Sequence, residues 1–125
     1  MSRLTNKQLD AIDKFNNSIK GLVRIISILE PTNTDLDSVR RQLNLFLETS
    51  PNEGINFAGQ YIKSNSVHIK AKNDEFFLSE NIEKVSKEVA NVFTLIKTKW
   101  PTLSDVEKKK VWEKVDAMLS AVELF

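Results

Sequence analysis

The residue types that most often bind metals or catalyse reactions are scarce in this sequence. His68 is the single histidine and cysteine is absent, so a zinc site would have one imidazole and no thiolate among its ligands. Its neighbours Lys63, Lys70 and Lys72 are cations, which disfavour a bound metal ion. We therefore predict no metal site and a surface or structural role for His68.

Acidic residues occur in close pairs, the pattern that general acid–base catalysis would use. The pairs are Asp35/Asp37, Asp74/Glu75 and Glu80/Glu83. Each pair lies near a predicted helix start, where carboxylates offset the positive end of the helix dipole. Three glycines in total build neither a P-loop nor a dinucleotide-binding turn. The sequence therefore predicts a protein that is not an enzyme and holds no cofactor.

Lysines form the sharpest cluster of charge. Lys108, Lys109 and Lys110 are consecutive, and Lys97 and Lys99 lie shortly before them. Such a run is either a solvated helix face or a surface that contacts phosphates. The 18 basic and 17 acidic residues nearly balance, without the basic excess of a dedicated nucleic-acid binder. Nucleic-acid association through these five lysines, in transcription or genome packaging, is the alternative functional hypothesis.

Aromatic and apolar residues at predicted element boundaries are candidates for binding a protein partner. They are Phe76, Phe77, Trp100, Leu124 and Phe125. Two hypotheses are open for each side chain: it closes the core, or it is exposed and anchors a partner, since aromatic residues dominate interface energetics. The leading functional hypothesis is a structural or accessory protein that docks on a protein partner, or on its own copy, through an exposed patch of these residues.

Apolar residues recur at three- and four-residue steps, the period of an α-helix. Helices are predicted at residues 6–30, 35–48, 55–64, 80–99 and 104–124. Thr5 with Gln8, and Ser104 with Glu107, have the spacing of capping boxes. Residues 64–72 are expected to be irregular or helical, and residues 73–78 to form a single helical turn. The predicted N-caps of the second and fourth helices are Thr34 and Ser79.

These elements predict an all-α fold, a small bundle of four to five helices in a single domain over residues 1–125. Gly21, in the middle of the first helix, is expected at a close helix crossing. No stretch reaches the roughly 20 apolar residues of a membrane-spanning helix, and residues 1–7 lack the apolar segment of a signal peptide. We therefore expect a soluble intracellular protein of the cytoplasm that binds no membrane.

Two segments of the C-terminal half carry a resemblance to a known group of proteins. Residues 73–78 read NDEFFL, and residues 100–112 read WPTLSDVEKKKVW. This half resembles small helical proteins of nucleocytoplasmic large DNA viruses, which carry an acidic DexFF turn and end in a W-x-x-L-S-x-x-x-K-x-x-x-W helix. Where those proteins often continue with a Tyr-Leu pair, this chain has Val115 and Asp116. The resemblance implies a virion or viral-factory setting in the host cytoplasm and transfers no catalytic residue.

Overall fold

The computed structural model describes residues 4–74 and 87–125, and within them it contains α-helices and no strand. The helices are α1 (Asn6–Leu29), α2 (Thr34–Thr49), α3 (Glu53–Ser64), α4 (Ser66–Lys70), α5 (Lys87–Lys99) and α6 (Asp105–Leu124). A 3₁₀ turn, Trp100–Thr102, joins α5 to α6. The predicted all-α class is confirmed. Of the six helices in the described ranges, five have twelve residues or more and α4 is a single short helix.

Both predicted capping boxes are present. The Thr5 hydroxyl accepts a hydrogen bond from the Gln8 amide at 3.1 Å, and the Gln8 side chain accepts one from the Thr5 amide at 2.9 Å. Ser104 and Glu107 make the same reciprocal pair at the start of α6. These bonds satisfy amides that the first helical turn leaves without partners. The sequence therefore predicts correctly where α1 and α6 begin.

Helices α1 and α6 run antiparallel and form the most extensive pair among the described helices. At one end, the Gln8 amide group donates to the carbonyl oxygen of Phe125 at 3.4 Å. In the middle, the side chain of Lys114 lies against Gly21, where an added Cβ would come within 2.9 Å of Lys114 Cε. Gly21 thus faces α6, and its contact there is the far end of the Lys114 side chain; a close approach of the two helix backbones stays a prediction.

The buried apolar residues form one cluster to which every described helix contributes. Phe15 of α1 and Phe93 of α5 are among its largest fully buried side chains. Tyr61 of α3 packs on Phe93 with 6.2 Å between ring centroids. Helices α3 and α4 pack against α6, while α2 packs against α1 and α5. The core therefore lies between the α1–α6 pair and the shorter helices around it.

The structure corrects several predicted boundaries. The N-cap of α2 is Asn33 and not Thr34, because the Asn33 side-chain oxygen accepts hydrogen bonds from the amides of Asp35 and Leu36 at 2.9 and 3.3 Å. Thr34 is already the first helical residue. Residues 66–70 form α4, so the helical alternative applies to that part of the uncertain segment. The predicted turn at 73–78 and the Ser79 cap fall wholly or partly outside the described residues.

Candidate functional site

Trp100 closes the core and offers no exposed ring to a partner. Its side chain is 3% exposed and packs edge-on against Trp112, with 5.9 Å between centroids and 86° between ring planes. The ammonium of Lys108 lies 5.3 Å from the centroid of the Trp100 ring, a distance at which the cation is attracted to the aromatic face. Of the two hypotheses for Trp100, the structure therefore supports closure of the core, because the 3₁₀ turn directs this ring inward onto α6.

The structure describes two of the other four predicted anchors. Phe76 and Phe77 lie outside the described residues. Phe125 is partly buried and packs against the core, while Leu124 beside it is exposed. Because Gln8 holds the carbonyl of Phe125, the end of α6 folds back on the start of α1. The predicted anchors therefore do not form one exposed aromatic patch in the described part of the chain.

Two of the five predicted phosphate-contacting lysines already have partners within the chain. Lys99 pairs with Glu30, and Lys108 covers the Trp100 ring. Glu30 also accepts a hydrogen bond from the Asn33 side chain at 2.9 Å. The hydrogen bonds from Lys99 and then Asn33 hold the pKa of the Glu30 carboxyl below its ordinary value. Lys99 therefore has a structural role where α1 and α5 end, and Lys108 has one at the start of α6.

The remaining predicted lysines, Lys97, Lys109 and Lys110, differ in exposure. Lys109 and Lys110 are exposed on α6, and Lys97 is half-buried on α5. Within residues 4–74 and 87–125, no carboxylate lies within ion-pair distance of any of the three. They stay available for an external anion, although they come from two different helices.

A groove between α1 and α6 contains a second group of cations. We call it the α1–α6 groove; its volume is about 440 Å³ and it is lined by Asn17, Lys20, Gly21, Arg24, Ile25, Ile28 and Lys114. Three of these side chains are positively charged and none is acidic. Among the described residues, Lys20, Arg24 and Lys114 have no ion-pair partner. The groove therefore combines uncompensated positive charge with an apolar wall.

The last two turns of α1 expose an apolar strip next to this groove. We call Ile25, Ile28 and Leu29 the α1 apolar edge. Ile28 is 70% exposed and Leu29 is 41% exposed, while Ile25 is partly buried against the core. Leu29 also lines a second cavity of about 290 Å³, which reaches the Lys99–Glu30 pair and Leu103. The edge thus separates two surface depressions.

The surroundings of His68 contain no arrangement typical of a metal centre. His68 is half-buried in α4, and its Nδ1 lies 3.2 Å from the Asn73 side-chain nitrogen. Across the described ranges, no group of three or more histidine, aspartate or glutamate side chains is arranged to hold a metal ion.

No helix in those ranges is long and apolar enough to cross a membrane.

Sequence reasoning missed Lys20 and Arg24. They lie four residues apart on α1 and look like an ordinary solvated face until α6 brings Lys114 beside them. The one available signal was Gly21 between them, which predicted a helix crossing but not which helix would lie there.

Comparisons of the chain with protein-family models, with curated proteins and with solved structures find no match. The resemblance of residues 73–125 to proteins of large DNA viruses stays a prediction.

Proposed function

We propose that this chain is a non-enzymatic helical interaction protein that docks on a protein partner through the α1 apolar edge. The observation that carries the proposal is Ile28, which is 70% exposed beside Leu29 at the end of a helix whose other apolar face is buried. Single exposed apolar residues are ordinary, but a contiguous apolar strip bordered by polar residues is typical of interaction sites. The resemblance to viral proteins adds a viral accessory role to this proposal.

The exposed area is sufficient to matter for affinity. Complete burial of an isoleucine or leucine side chain contributes about 1.5–3 kcal/mol. Ile28 retains most of that contribution, since 70% of it is still exposed. Burying Ile28 in an interface would therefore stabilise a complex by about 1–2 kcal/mol, which is roughly a 5- to 30-fold change in affinity.

Site-specific photo-crosslinking in the producing cells tests this proposal. A photoreactive phenylalanine analogue at position 28 is expected to give a discrete adduct with another protein. The matched control carries the analogue at position 67, because Val67 of α4 is 76% exposed and similarly apolar. Ile28→Ser is expected to weaken the complex, measured after purification, by roughly 5- to 30-fold. Absence of a protein adduct at position 28, or equal adducts at both positions, contradicts the proposal.

A nucleic-acid-associated role is the second candidate, and it is favoured by Lys97, Lys109 and Lys110, which have no ion-pair partner among the described residues. Neutralising phosphates releases counterions, so the logarithm of the affinity for duplex DNA would fall steeply with the logarithm of salt concentration. Nucleic acid that copurifies with the protein and is removed by salt would support this role over protein docking. An affinity for duplex DNA that does not change with salt would exclude it.

A further inference from the structure

The positive charges of the α1–α6 groove are not explained by the folding of the chain. Lys20 and Arg24 lie one helical turn apart on α1, a spacing at which like charges destabilise a helix. Lys114 of α6 adds a third cation to the same groove, and none of the described residues that line it is acidic. Three cations that repel one another and have no ion-pair partner among the described residues are complementary to an external anion.

Gly21 helps to hold the third cation on this surface. Without a Cβ at position 21, the aliphatic part of Lys114 lies directly on the α1 backbone, and its ammonium would be 3.4 Å from an added Cβ. The Lys114 ammonium therefore lies close to α1 in the groove, on the same surface as Lys20 and Arg24.

The apolar wall restricts the kind of anion that fits. Ile25 and Ile28 line the same groove as the three cations. From position 20 to position 28, the groove follows α1 for about 12 Å, or roughly two helical turns. A free phosphate or a nucleic-acid backbone would bind the cations and leave the isoleucines exposed to water. An acidic protein segment with a large apolar side chain about two turns from its carboxylates would pair with the cations and also bury the isoleucines.

We propose that the α1–α6 groove binds an acidic, amphipathic helical segment of a protein partner, with its carboxylates on Lys20, Arg24 and Lys114 and its apolar side chains on Ile25 and Ile28. This inference rests on the proposed docking function and specifies the chemistry of the partner. It assigns the first half of the groove to charge recognition and the second half to apolar burial.

Fluorescence polarisation with the full chain and a labelled synthetic peptide tests the inference. The peptide is a helix of about four turns, with glutamates on one face in its first half and leucines on the same face in its second half. Binding is expected to weaken with salt and to weaken at least about tenfold in Lys20→Glu/Arg24→Glu, because two attractions become repulsions, for a total of about 1.4 kcal/mol. Ile28→Ser is expected to weaken it severalfold.

The matched control is Lys7→Glu/Arg41→Glu. It changes the net charge equally at two exposed positions outside the groove, so it should retain the peptide affinity within about twofold. Circular dichroism checks that every variant is folded. Undetectable peptide binding, equal losses in both double variants, or preferential binding of duplex DNA at Lys20 and Arg24 would each overturn the inference. A protein adduct at position 28 without peptide binding would leave the docking function standing and reject only the acidic partner.

Discussion

Replacing Trp100 with alanine is expected to destabilise the fold, so this variant does not measure docking. The ring is 3% exposed and packs edge-on against Trp112 at 5.9 Å. Truncating a buried tryptophan removes its transfer free energy and leaves a cavity, at a cost of about 3–5 kcal/mol. A domain of this kind has a total unfolding free energy of about 5–15 kcal/mol. The variant therefore loses a large part of its stability.

Equilibrium urea unfolding followed by circular dichroism measures this loss. Trp100→Phe keeps an aromatic ring beside Trp112 and is expected to lose less than half of what Trp100→Ala loses. Lys108→Ala leaves the ring in place and removes the lysine side chain whose cation lies over it, a contact that contributes about 0.5–1 kcal/mol at an exposed site. The expected order of stability is therefore parent, Lys108→Ala, Trp100→Phe and Trp100→Ala.

An unfolding free energy of Trp100→Ala within about 1 kcal/mol of the parent would refute this reasoning, since that is the size of an ordinary surface change. It would mean that the Trp100 ring is not part of the core in solution. The ring would then become a candidate docking anchor again.

Two further predictions concern α3. Tyr61 is the single tyrosine, and burial raises the pKa of its phenol above the ordinary value of about 10. The absorbance of the phenolate should therefore appear at higher pH in the folded protein than in the protein unfolded by urea. Because the phenol ionises at lower pH in the unfolded chain, the free energy of unfolding should fall as pH rises above about 10. Tyr61→Phe should remove the share of this fall that comes from the phenol. Phenolate titration curves that coincide in the folded protein and in urea would contradict this prediction. Gly59→Ala should stabilise the protein by about 0.5–1 kcal/mol in urea unfolding, because its Cβ would lie in ordinary contact with Val122 at 3.5 Å. Gly54→Ala should show no such gain, because its Cβ would come within 3.3 Å of Phe15 and 3.4 Å of Leu47. A larger unfolding free energy for Gly54→Ala than for Gly59→Ala would contradict this description of the packing.

The helices were predictable because their signals are local. The apolar period and the two capping boxes involve residues three or four positions apart, and the structure shows both boxes where the sequence predicts them. The prediction failed at the start of α2, where Asn33 and Thr34 are adjacent and both are good capping residues. The extended backbone of Asn33 decided between them, since its side-chain oxygen reaches two amides of the first turn.

The candidate site was less predictable, because each residue type was compatible with two environments. Trp100 could close the core or anchor a partner, and the sequence does not show which face of the 3₁₀ turn meets α6. Lys99 looked like part of a basic patch until the structure paired it with Glu30, far away in the chain. Lys20 and Arg24 looked like a solvated face until α6 closed a groove beside them.

The sequence by itself determined the helical class and the positions of the capping boxes, because these depend on steps of a few residues. Only the tertiary structure decided which cations are paired and which line a groove. That difference arises because burial of one apolar core brings α1 against α6 in antiparallel order, and this packing sets Lys114 on Gly21 and Phe125 beside Gln8. Contacts between residues so distant in the chain form only when the shared core is buried.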